Sequence, residues 1–78
     1  MEEIDENIKV GAVFQGSKII PKWFVWDGTK YIVKAINYIW NDRCGREKII
    51  LFSVSTDANT YELAYYTEQC VWKLSKIQ

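Results

Sequence analysis

Apolar and polar residues alternate along most of the chain and helical spacing is nearly absent, so the pattern predicts strands rather than helices. In "IKVGAVFQG" (8–16), Ile8, Val10, Ala12 and Phe14 share one face of a first strand. Gly16-Ser17 makes a short turn, and a second strand runs over 18–26. Pro21 cannot donate to a ladder, which places it at an edge or a bulge. Asp27-Gly28 then stands between two β-rich runs, the strongest short-range hairpin signal. A two-residue turn there fixes the register. Trp26 faces Thr29, Phe24 faces Tyr31 and Lys22 faces Val33 on one side of the sheet, whereas Val25 with Lys30, Trp23 with Ile32 and Pro21 with Lys34 fall on the other.

The third strand continues through "KAINYIW" (34–40), where Val33 and Ile36 are out of phase. A bulge near Ala35 would keep Ile36, Tyr38 and Trp40 inward. After a polar loop at 41–47, "KIILFSVST" (48–56) places Ile50, Phe52 and Val54 on one face. Ile49 and Leu51 make its other face apolar too, as in a strand covered on both sides. "YELAYY" (61–66) alternates Tyr61, Leu63 and Tyr65 against Glu62, Ala64 and Tyr66, and "CVWKLSKI" (70–77) keeps Trp72 and Leu74 in phase. The expectation is one all-β domain over 8–78, with about six antiparallel strands in a meander. With no helix to cover a face, such a sheet curls into a small, partly open barrel or pairs with a second copy.

Composition sharpens this picture. The 78 residues allow one domain, and a chain this short buries only about 60% of its unfolded surface. Its core must therefore be rich in large side chains, and 49% of the residues are apolar and 15% aromatic. A homodimer would bury more. The zero net charge is unevenly placed: residues 1–7 hold Glu2, Glu3, Asp5 and Glu6 and no base. The remainder carries ten Lys and Arg against six acids, a net of +4. The acidic segment is expected to fray at the terminus. The excess over the body is modest for a nucleic-acid binder.

No histidine is present, which excludes Ser-His-Asp and Cys-His catalysis, and no phosphate-cradling glycine motif occurs. Two cysteines without a CxxC pair argue against a zinc site or a disulfide framework. Cys44 reads as a loop residue and Cys70 as a small core residue, reduced in the cytoplasm. No apolar run approaches membrane-spanning length. No enzyme, cofactor or metal is expected, and the domain reads as a small interaction module.

The candidate binding residues are Lys22, Trp23, Lys30, Ile32 and Lys34, gathered on the second face of the Asp27-Gly28 hairpin, with Lys18 just upstream. Contact with a partner protein, or with a second copy, through Trp23, Val25 and Ile32 is the first reading. The alternative is weak single-stranded nucleic-acid binding, with a base stacked on Trp23 and the lysines tracking phosphates.

The runs "FVWDGTKYIVKAINYIW", "FSVSTDANTYELAYY" and "VWKLSKI" resemble an uncharacterised bacterial family of short all-β proteins. They also resemble the C-terminal β domain attached to some Y-family DNA polymerase paralogues in bacterial mutagenesis cassettes. The resemblance covers roughly residues 20–77 and rests on aromatics and turns. It implies a framework of Phe24, Trp26, Tyr31, Val33, Trp40, Phe52, Tyr61, Leu63 and Trp72, and an accessory role in DNA repair. This chain has lysine where the polymerase-linked domains favour arginine.

Overall fold

The computed structural model describes residues 2–78. They form seven strands: β1 (Glu2–Gln15), β2 (Lys18–Trp26), β3 (Thr29–Ile32), β4 (Ala35–Cys44), β5 (Glu47–Ser55), β6 (Thr60–Tyr66) and β7 (Val71–Ile77). All belong to one antiparallel sheet of order β3-β2-β1-β7-β6-β5-β4, curled into a half-barrel. The all-β class and the antiparallel strands follow the alternation in the sequence; consecutive strands are neighbours within β1–β3 and within β4–β7, and β1 meets β7 between the two runs. The count is seven because the strand expected over 29–40 divides at Val33-Lys34.

The β2–β3 hairpin has the register expected of a two-residue turn: Trp26 with Thr29, Val25 with Lys30, Phe24 with Tyr31 and Trp23 with Ile32. Asp27 and Gly28 have φ of 52° and 78°. Positive φ at both central residues gives a primed turn, whose twist matches that of the flanking strands.

Two consecutive residues close the curl. The Val33 N–H donates to the Lys22 carbonyl on β2 (2.9 Å), and the Lys34 N–H donates to the Ser55 carbonyl on β5 (2.8 Å). The chain thus steps from one edge of the sheet to the other, joining the two edges at one corner. Beyond that corner the edges part. β3 covers β2 only over Trp23–Trp26, and β4 is bonded only to β5. Among the described residues no strand pairs with the outer edge of β4, nor with β2 over Lys18–Pro21 on the side away from β1.

The bulge in β4 falls at Asn37, not near Ala35. Ile36 pairs with Val54 and Tyr38 with Ser53, which leaves Asn37 as the extra residue. Every side chain after it changes face. Ile39 lies opposite the buried Phe52, while Tyr38 and Trp40, expected inward, turn out to solvent, Tyr38 at 73% exposure. A second bulge in β2 at Lys22, between the pairs Gly11–Trp23 and Ala12–Pro21, accommodates the buried Pro21.

Of the acidic segment 1–7 expected to fray, Met1 lies outside the described residues and the rest forms the first half of β1. Residues from Glu2 to Ile8 pair with Ile77 to Trp72 of β7, with an irregularity between Glu3 and Glu6 where Asp5 takes a φ of 55°. From Lys9 onward β1 pairs with β2. The concave face holds the core: Phe24, Phe52, Val54, Tyr61, Leu63 and Leu74. Phe24 stacks on Tyr31 at 5.1 Å and meets Tyr61 edge-on at 5.2 Å. These geometries favour aromatic pairs. Trp26 packs against this cluster, half-buried, with its indole N–H lacking a hydrogen-bond partner.

Candidate functional site

The sequence-derived residues separate into two environments, Trp23, Lys30 and Ile32 on one face and Lys22 with Lys34 lining a shallow hollow at the crossing corner. Trp23, Lys30 and Ile32 do share the convex face of β2–β3. The indole of Trp23, however, lies against Gly11 of the neighbouring strand β1, so close that a Cβ at Gly11 would stand 2.1 Å from Cε2 and 2.3 Å from Nε1. Lys30 Nζ lies over the ring, 4.8 Å from its centroid, a cation–π contact. The Gly11 backbone and the Lys30 ammonium both crowd the half-buried indole, which leaves less of the ring open to a stacked base. Lys22 is the exposed extra residue of the β2 bulge. Lys34 lies at the crossing corner with its Nζ 3.9 Å from Asp57 Oδ2, both groups solvated. The five positions therefore do not make one basic platform.

A different feature is more open. Between the start of β2 and the β4–β5 pair lies a cleft of about 400 Å³, floored by Ile19, Ile36, Ile39, Ile50 and Phe52. Ile19 reaches it because β1 and β2 pair Phe14 with Ile19 on the concave side. Ile39 reaches it because of the bulge at Asn37. Lys18, Asn41 and Lys48 form the rim. A shallower polar hollow continues past them, lined by Asn41, Asp42, Arg43 and Lys48. Asp42 is partly engaged there, since its Oδ1 accepts the Arg43 N–H at 2.8 Å.

The cleft borders the unpaired edge of β4, where Tyr38, Ile39 and Trp40 are 73%, 57% and 39% exposed in succession. Both faces of the strand thus present apolar surface beside a free row of backbone groups. No local sequence signal marks this site. Ile19 and Ile39 lie on strands that are not bonded to each other, so only the curl of the sheet brings them together.

At the same end of the half-barrel Glu47 fastens the β6–β7 turn. Its carboxylate accepts the N–H groups of Glu68 (3.0 Å) and Gln69 (2.9 Å) and the Gln69 side-chain amide (2.7 Å). Those hydrogen bonds, led by the Gln69 side chain, hold the carboxyl below its ordinary pKa. Cys70, expected in the core, ends this turn in the open, with φ 56° and its thiol directed at the Thr67 carbonyl. Cys44 is also exposed. Burial, and then the neighbouring Cys70, raises the Tyr65 hydroxyl pKa; burial, and then Tyr61, does the same for Tyr31.

Among the described residues no three His, Cys, Asp or Glu side chains converge, and no helix is long and apolar enough to cross a membrane. No family model matches the sequence, and no match was found among curated proteins or solved structures.

Proposed function

We propose that this protein is a non-enzymatic interaction module that holds an extended segment of a partner protein along the free edge of β4. The observation that carries this reading is the run Tyr38-Ile39-Trp40, three consecutive exposed apolar residues on a ten-residue edge strand. Edge strands of soluble proteins are commonly kept short, charged or covered, because their open backbone recruits further strands. The middle of β4 has a single bulge and no charge before Asp42. In strand addition the main chain supplies affinity and pockets for alternate side chains supply specificity. The apolar cleft beside Ile39 is such a pocket. The likeness of residues 20–77 to polymerase-linked β domains adds DNA-repair machinery as a setting for the partner. Nucleic-acid stacking on Trp23 has less support, because that ring is half-buried, against Gly11 and in contact with Lys30.

The test is selection of displayed random peptides on the immobilised protein, followed by amide-resolved NMR with the enriched sequences. Enriched apolar, extended peptides that perturb the amides of residues 36–42 support the reading. Enrichment that maps to the convex face around Trp23, or no enrichment, overturns it.

A further inference from the structure

The rim of the cleft carries a charge pattern that narrows what the seam accepts. Lys18 and Lys48 approach it from opposite sides, one from the start of β2 and one from β5. Both are exposed, and neither forms an ion pair among the described residues, where the ion pairs present are Lys34–Asp57 and Lys73–Asp5. Arg43 adds a third cation in the adjoining hollow against the single acid Asp42. The inner part of the cleft is isoleucine and phenylalanine. One end of the seam is thus cationic and the rest apolar.

We infer that the segment docking at β4 is an acidic peptide strand, with apolar side chains at alternate positions entering the cleft and a carboxylate at the end lying between Lys18 and Lys48. This rests on β4 being the docking edge. In an extended strand, successive side chains point to opposite faces, so every second residue faces the cleft floor while the backbone follows β4. The rim lysines act at the end of that path. They are solvated, so each adds a modest, salt-sensitive increment and the apolar contacts provide most of the affinity.

Two end-blocked peptides alternating valine and threonine test this, one with glutamate at both ends and one with lysine at both ends. Binding is read from amide shifts of 15N-labelled protein at low and at high salt. The glutamate peptide is expected to bind roughly fivefold more tightly at low salt, with the difference shrinking at high salt. The double variant Lys18→Glu/Lys48→Glu should reverse the preference, and Lys18→Gln/Lys48→Gln should erase it. Equal binding of both peptides at residues 36–42 in all three proteins would overturn the charge inference and leave the docking edge standing. Failure of both peptides to perturb β4 would overturn the docking edge itself. A concentration-dependent mass of the protein alone, abolished by Ile39→Lys, would assign the seam to a second copy and overturn the peptide partner.

Discussion

Trp23 and Gly11 form a lock between β2 and β1: the indole occupies the space that a side chain at position 11 would need. Gly11 is required there for proximity rather than for an unusual backbone angle. Gly11→Ala should lower stability by about 1–3 kcal/mol, as overpacking does. The change is read from the chemical-denaturation midpoint, together with a shift of the Trp23 indole N–H resonance as the ring is displaced from beneath Lys30. An unchanged midpoint and resonance would show that the ring does not rest on Gly11.

The same lock sets an expectation for nucleic acid. Adding a mixed-sequence single-stranded oligonucleotide at low salt should leave the Trp23 indole resonance unmoved, because the ring is half-buried and already engaged by Gly11 and Lys30. A salt-sensitive shift of that resonance would restore stacking as the function of the β2–β3 face.

Core and seam should respond differently to mutation. Phe52 is buried beneath the cleft, and Phe52→Ala is expected to cost about 3–5 kcal/mol. Ile39→Lys, on an exposed position of the seam, should stay within about 0.5 kcal/mol of the parent. It should nevertheless abolish binding of any peptide that docks on β4. Paired denaturation curves and titrations check both outcomes; a large stability loss at Ile39 would make that residue core.

Trp26 separates packing from hydrogen bonding. Its ring packs against the central cluster while its N–H has no acceptor. Trp26→Ala should cost about 3–5 kcal/mol. Trp26→Phe should cost much less, because it keeps an aromatic ring and removes a buried unpaired donor. Equal losses in the two denaturation midpoints would contradict this.

Glu47 makes the hold on the β6–β7 turn pH-dependent. Its pKa is lowered in the folded state, so the stability it contributes is present above the ordinary carboxylate range and is lost as pH falls through the folded value. Thermal melts of the parent and of Glu47→Ala should differ near neutral pH and converge as the pH falls below the ordinary carboxylate range. A difference that grows on acidification would reverse the assignment.

The sequence made the local features legible and left the non-local ones hidden. Asp27-Gly28 determines its own turn, so the pairing of Phe24 with Tyr31 and of Trp23 with Ile32 follows without knowledge of the rest. The phase break between Val33 and Ile36 correctly signals an irregularity but not its place. What decides that Asn37 is the extra residue is how Ile36 and Ile39 meet Val54 and Phe52 on β5. That single displacement turned Tyr38 and Trp40 outward and opened the seam. Cys70 was misplaced for a related reason: the turn that follows Tyr66 extends through it, held by Glu47 from another hairpin. The clustering of Lys30 with Trp23 was legible, whereas Gly11 under the ring belongs to β1 and was not.

The pairing of β1 with β7 has a consequence for the order of events during synthesis. The first half of β1 leaves the ribosome early but finds its partner only after residues 71–77 have emerged. Until then the β1–β2–β3 hairpins and the β4–β5–β6 hairpins have no ladder between them and meet only at the Val33-Lys34 corner and through side chains on the concave face, such as Phe24 against Tyr61. Contacts of such long sequence separation are slow to form. The ladder at the centre of the sheet is therefore the last that the emerging chain can complete.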